Sequence, residues 1–249
     1  MKSRPLNYVV GGLQPLTMID FPGKLASVIF AQGCNLRCRF CYNKTLLADT
    51  GREKITWESI IEFLKDRQGF IEGVVFSGGE PCKQEGFIHV LKEVKELGFE
   101  TALHTNGFYP ETVESAIELS LLDYIAVDLK GSFEKYHELT GSKIDALKFE
   151  YLIKTIADSG IRHEVRTTVH PDIITETEIV ELAERLSKVG IEKYVLQKFQ
   201  HGEALDHNLK AISSMNIKAV TYFKLREMFE DFEIRGDTIA QEILSSEAA

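Results

Sequence analysis

Short apolar runs, rich in branched and aromatic residues, recur along the chain, and each gives way to a polar or glycine-rich cluster. Residues 25–31, 73–76, 101–105, 124–129, 163–169 and 193–199 have this character and predict six strands. Between them the apolar residues fall at helical spacing. Thr56-Trp57-Glu58-Ser59 resembles a helix start, and Ile60, Ile61, Phe63 and Leu64 supply the stripe that follows. Residues 87–97, 111–119, 149–159 and 178–189 read as further helices, with Gly98, Gly160 and Gly190 as stops. Strands alternating with helices favour a parallel sheet with right-handed crossovers. Six units fall short of the eight that close a full barrel, so the expected fold is α/β, a partial (β/α)6 TIM-like barrel, with a doubly wound sheet as the alternative. Either architecture places reactive groups at the C-terminal ends of the strands. The clusters at 33–43, 77–80, 104–107 and 128–130 occupy those positions.

The flanks complete a single-domain expectation for residues 1–249. Residues 1–24 read as an irregular lead-in, with Gly11-Gly12 and Pro22-Gly23 as turn signals, residues 25–200 as the core, and residues 201–249 as a C-terminal extension. In that extension 220–229 has a helical pattern, 232–236 packs back onto the body, and 245–249 fray. A chain of 249 residues with 44% hydrophobic residues can bury a substantial core. A formal net charge of -9 offers no global positive field to nucleic acid or to an anionic membrane. No apolar run has the length of a signal peptide core or a membrane span, and the expected location is the cytoplasm.

Four cysteines, three of them within eight residues, do not make a spaced disulfide framework, and such a cluster points to metal. Cys34, Cys38 and Cys41 are spaced four and then three apart. Three thiolates on a short loop can hold three corners of a 4Fe-4S cube and leave one iron open for chemistry. A structural zinc with a fourth ligand from Cys82 or a histidine, or three unligated thiols, are the alternatives. Arg37 and Arg39 suit a loop that carries negative charge, and surface solubility explains them nearly as well.

Cys34, Cys38 and Cys41, with aromatic Phe40 before the third cysteine, resemble the CxxxCxxC motif of the radical S-adenosylmethionine superfamily. Ser77-Gly78-Gly79-Glu80-Pro81 matches that family's glycine-glycine-glutamate element. Glycines let a backbone approach a ligand closely, and a carboxylate accepts from an ammonium group. The resemblance implies a barrel of the radical S-adenosylmethionine type and a 4Fe-4S cluster on the three cysteines. It also implies bound S-adenosylmethionine, cleaved reductively to a 5′-deoxyadenosyl radical. It places Phe40, Ser77, Gly78, Gly79, Glu80, His104, Asp128, Lys130 and Arg166 at the cofactor, with Asp128, Lys130 and Arg166 near the methionine carboxylate.

Within the superfamily the chain is similar to the glycyl-radical activating enzymes that serve anaerobic ribonucleoside-triphosphate reductase. The carriers include the segment from Gly11-Gly12-Leu13-Gln14 to Asp20-Phe21-Pro22-Gly23-Lys24, Thr105-Asn106-Gly107, and Arg166 to Pro171. That likeness implies a glycyl-radical enzyme as partner and a flavodoxin or ferredoxin as electron donor, with no nucleic acid and no membrane. No chain is left over for a substrate lid, so a glycine-bearing loop of the partner is expected to enter the open side of the barrel. His104 stands where many activating enzymes have a cation-binding aspartate, Tyr42 replaces a common histidine, and Cys82 reads as a buried thiol. His201 reads as a solvated loop histidine. Two other readings remain open: a radical enzyme acting on a small molecule or another protein, and a non-catalytic metal-binding module.

Overall fold

A computed structural model describes residues 8–50, 55–202 and 204–245. Its strand order follows the chain, from β1 to β8. The order is β1 (Val10–Thr17), β2 (Ala26–Ala31), α1 (Trp57–Arg67), β3 (Gly73–Gly78), α2 (Phe87–Glu96), β4 (Glu100–Thr105), α3 (Pro110–Glu118) and β5 (Tyr124–Asp128). Then come α4 (Tyr136–Thr140), α5 (Ala146–Asp158), β6 (Arg162–Val169), α6 (Glu176–Lys188), β7 (Lys193–Lys198), α7 (Ala219–Met228), β8 (Asp231–Arg235) and α8 (Thr238–Ser245). Strands β2 to β7 are the six predicted, each followed by at least one helix, and this is the α/β alternation of a partial TIM-like barrel. Among the described residues no helix is long and apolar enough to cross a membrane.

One expectation about the flanks is corrected. The lead-in is not irregular: Val10–Thr17 is a strand, antiparallel to β2, with Leu13 opposite Ile29 and Gln14 opposite Val28. Gly11 marks a close approach rather than a turn, since a Cβ there would lie 2.6 Å from Oε1 of Gln32. Pro15 is tolerated because β1 is the edge strand of the sheet, with β2 as its one neighbouring strand. Of the segment at 232–236, residues 232–235 belong to a strand, β8 (Asp231–Arg235), parallel to β7 with Tyr194 opposite Phe232. Helices α4 and α8 add to the predicted set. Of the residues expected to fray, Ser245 ends α8, and 246–249 lie outside the described residues.

The chain divides into two compact units, one drawn from residues 1–35 and 45–126, the other from 36–44 and 127–249. In the first, β2, β3 and β4 are parallel, with Val28 opposite Val75 and Val75 opposite Ala102. One face of this sheet carries the small residues Ala26, Val28, Val75, Ala102 and Ala126, closed over by Phe21 stacked on Tyr124 at 5.8 Å. Phe21, fully buried, fits because β3 starts with glycine: a Cβ on Gly73 would lie 2.8 Å from its ring. The opposite face packs on helices, where Tyr8, Trp57, Phe76 and Phe87 meet edge-on or stacked. In the second unit β6, β7 and β8 are parallel. Val165, Tyr194, Leu196 and Ile234 are buried on one side of these strands, while Glu164, Arg166, Lys193, Glu233 and Arg235 alternate with them on the other.

Candidate functional site

In the first unit the end of β3 is fastened to the end of β2. Gly78 has φ +110°, and a Cβ there would lie 2.5 Å from the nitrogen and 2.8 Å from the oxygen of Ala31. Gly79 N donates to Ala31 O at 2.9 Å and Glu80 N to Gly33 O at 2.9 Å. The close approach that these two glycines permit is thus to β2 and to the first residue of the cysteine loop. The Ser77-Gly78-Gly79-Glu80 turn and the loop holding Cys34 are set by one backbone arrangement.

Glu80 is 1% exposed. Its Oε1 accepts from Cys82 N at 3.0 Å and from the Thr105 hydroxyl at 2.9 Å, and its Oε2 accepts from Asn106 N at 2.8 Å. Burial pushes its carboxyl above the ordinary value, and donation from Asn106, Cys82 and Thr105 works against that shift. The Cys82 thiol is a fourth donor, so the roughly four acceptor positions of this carboxylate are all engaged and a ligand ammonium would have to take the place of one of them. Asn106 extends the network, donating from Nδ2 to Asn35 Oδ1 at 2.9 Å and to Cys34 Sγ at 3.9 Å. The sequence marked Thr105-Asn106-Gly107 as a motif but gave Asn106 no role; its amide is what reaches the first cysteine. His104, 8% exposed, donates from Nε2 to the carbonyl of Asp20 at 2.9 Å. That proton is committed, so donation to a carboxylate from Nδ1 requires the imidazolium. Cys82 is buried, and burial together with the charge of Glu80 pushes its thiol well above the usual value, which disfavours the thiolate that a metal needs.

In the second unit, residues 36–43 are irregular and held by main-chain bonds. Arg37 N donates to Thr140 O at 2.7 Å, Arg39 N to Leu139 O at 2.9 Å, and Cys41 N to Cys38 O at 3.0 Å. From the segment after β7, Leu205 N donates to Cys41 O at 3.0 Å and Asp206 N to Arg39 O at 2.8 Å. Tyr42 is assigned by its contacts: its ring stacks on Phe199 at 5.8 Å and its hydroxyl accepts from Gln200 N at 2.8 Å. Arg39 is bound to Asp206 at 2.8 Å, which neither the thiolate-charge nor the solubility reading of that arginine anticipates. His201 is exposed.

Asp128 joins the two cations predicted beside it. Lys130 Nζ lies 3.0 Å from its Oδ2 and Arg166 Nε 2.7 Å from its Oδ1. Burial works against the Lys130 ammonium, yet Asp128 and Cys38 outweigh it and hold its pKa above the ordinary value. The same ammonium lies 6.0 Å from the centre of the buried Phe40 ring. Arg166 continues to Glu164 at 3.7 Å, and Glu164 accepts both terminal nitrogens of Arg235 at 2.8 Å. Glu164 and Arg235 were not foreseen; the only local signal is charge at alternate positions of two strands.

None of Cys34, Cys38 and Cys41 is in a disulfide. Among the described residues no three His, Cys, Asp or Glu side chains are grouped as around a single metal ion. The donors nevertheless suit an iron-sulfur cluster: thiols with no disulfide, an amide directed at one sulfur and an ammonium beside another, both of which favour thiolate.

The family described as the Radical SAM superfamily matches residues 28–186. A Methanocaldococcus jannaschii protein named as a glycyl-radical enzyme activating enzyme is 34% identical over 212 residues, covering 82% of this chain and 85% of that protein. Pyruvate formate-lyase-activating enzyme of Clostridium pasteurianum is 30% identical over 227 residues, covering 83% and 91%. Among solved structures, Streptococcus suis SuiB bound to S-adenosylmethionine aligns with a TM-score of 0.66 at 18% identity, over 84% of this chain. The alignment spans 50% of the SuiB chain, and this likeness concerns the fold.

Proposed function

The chain belongs to the radical S-adenosylmethionine superfamily and, within it, to the glycyl-radical enzyme activating enzymes, and from that premise we infer that it installs a glycyl radical on a partner enzyme. Membership implies a 4Fe-4S cluster and S-adenosylmethionine, which when bound supply an electron and a 5′-deoxyadenosyl radical that abstracts hydrogen. Cys34, Cys38 and Cys41 are the residues that would hold the cluster, as thiolates. Glu80 would accept from the methionine ammonium in place of one of its present donors, and the Ser77-Gly78-Gly79 turn sets where that carboxylate stands. Lys130 and Arg166 would supply cations for the methionine carboxylate, and Asp128 orients both while leaving the trio one net positive charge. Phe40 lends a buried apolar face beside Lys130. His104 holds the lead-in through Asp20.

The observation that carries the activating role is the 34% identity that runs over 85% of an activating-enzyme relative. We assign the partner as an anaerobic ribonucleoside-triphosphate reductase on the strength of the lead-in, whose residues form β1 and the Phe21 plug. A flavodoxin or ferredoxin in the cytoplasm is the fitting electron donor. The Clostridium pasteurianum relative favours a second reading, a partner of the pyruvate formate-lyase kind. Reduced, reconstituted protein incubated with S-adenosylmethionine and each candidate in turn separates them by electron paramagnetic resonance. A glycyl doublet only with the ribonucleotide reductase supports the first assignment, and a doublet only with the lyase supports the second. 5′-Deoxyadenosine without a radical on either would favour a different substrate.

A further inference from the structure

The cysteine loop is gripped from outside its own motif. Both Nε and Nη2 of Arg39, the residue after Cys38, reach Oδ2 of Asp206 at 2.8 Å. The other oxygen of Asp206 accepts from Asn208 N at 2.9 Å and Nδ2 at 3.0 Å. Beside this pair, the carbonyls of Arg39 and Cys41 receive the main-chain N–H groups of Asp206 and Leu205. The gripping segment is itself pinned to the end of β6: buried His170 donates from Nε2 to Lys210 O at 3.0 Å and accepts at Nδ1 from Asp172 N at 3.1 Å. Phe199 lies between the two anchors, stacked on Tyr42 and met edge-on by His170 at 5.1 Å.

We propose that Asp206, acting through Arg39, is a positioning residue for the iron-sulfur cluster, fixing the backbone between Cys38 and Cys41 so that both sulfurs face the metal. The proposal rests on the reading of these cysteines as cluster ligands. An isolated surface ion pair stabilises little. This one acts together with two main-chain bonds on a stretch with no regular structure of its own, so its loss falls on ligand geometry more than on folding. Partners that orient metal ligands typically contribute about 10- to 100-fold in metal retention.

The test uses the full chain, reconstituted anaerobically with iron and sulfide, and times the loss of iron to a ferrous chelator. Asp206→Asn and Arg39→Gln each release iron about 10-fold faster than the parent. The double variant releases it no faster than the faster single, as coupled residues require. Cluster-free forms of all three melt within about 2 °C of the parent, a shift too small for a folding defect in a chain of this size. Glu184→Gln, which breaks the exposed pair with Lys224 at 2.9 Å, leaves release unchanged. Single variants within about twofold of the parent, or rates that multiply in the double variant, would overturn the proposal. If Asp206→Asn fails to fold, Arg39→Gln decides alone, because it leaves Asp206 and its Asn208 contacts in place. A parent that takes up no iron and sulfide overturns the ligand reading and this proposal with it, whereas a loaded parent with unaffected variants overturns only the positioning role.

Discussion

Replacing Glu80 by glutamine separates a scaffold role from a ligand role at one atom. In the parent, Oε1 serves Cys82 N and the Thr105 hydroxyl while Oε2 serves Asn106 N. A glutamine can keep its oxygen on the first two only by turning its own N–H₂ toward the Asn106 N–H. Two donors then face each other in a buried space, at a cost of about 1–3 kcal/mol. Because burial opposes the parent carboxylate, removing its charge returns part of that amount, and the net loss is expected at about 1–2 kcal/mol. For a chain of this length that corresponds to a fall of about 2–8 °C in melting temperature. The assay is thermal unfolding of cluster-free protein followed by circular dichroism, so no cofactor contributes to the difference. A variant that melts with the parent, yet binds S-adenosylmethionine more weakly once loaded, would refute the view that Glu80 ties the end of β3 to the end of β4.

Other consequences are equally open to measurement. Cys38→Ala is expected to abolish the cluster absorbance and S-adenosylmethionine cleavage, while Cys82→Ala leaves both intact; loss of the cluster in the second variant would make Cys82 a ligand. Phe21→Ala empties the closure over Val28, Val75 and Ala102 and should cost about 3–5 kcal/mol in urea unfolding. Burial alone would raise the Glu178 carboxyl, but Lys135, Thr175 and Ser132 bring it down to about 2 from the ordinary 4.5. Its contribution is therefore full above the unfolded value and lost as pH falls toward about 2, so Glu178→Gln should be less stable than the parent at neutral pH, with a gap that closes over that acidic window.

The six β/α units are legible because each strand is a branched or aromatic run ended by glycine or a polar cluster, and each crossover has a helical stripe. Strand β1 is not legible, since Gly11, Gly12 and Pro15 mimic turn punctuation and its middle residues are exposed. Strand β8 hides for a related reason: Asp-Phe-Glu-Ile-Arg mixes charge with only two apolar residues. Helix α4, five residues long, has too few positions to show a period. At the site the cysteine spacing is a local signal and reads directly. What holds those cysteines is not local, with Asp206 lying 167 residues from Arg39 and Asn106 lying 71 from Asn35. The two glycines before Glu80 are visible as glycines, but only the fold reveals that they admit Ala31 and Gly33.

The transfer of hydrogen from a partner's glycine is the central claim, and isotope transfer tests it most directly. A candidate glycyl-radical enzyme is prepared with α-deuterated glycine and incubated anaerobically with the reduced, loaded protein and S-adenosylmethionine, and the 5′-deoxyadenosine formed is weighed by mass spectrometry. The account predicts deuterium in the 5′-deoxyadenosine, in proportion to the glycyl radical formed. 5′-Deoxyadenosine that carries no deuterium while a glycyl radical accumulates on the partner would contradict it.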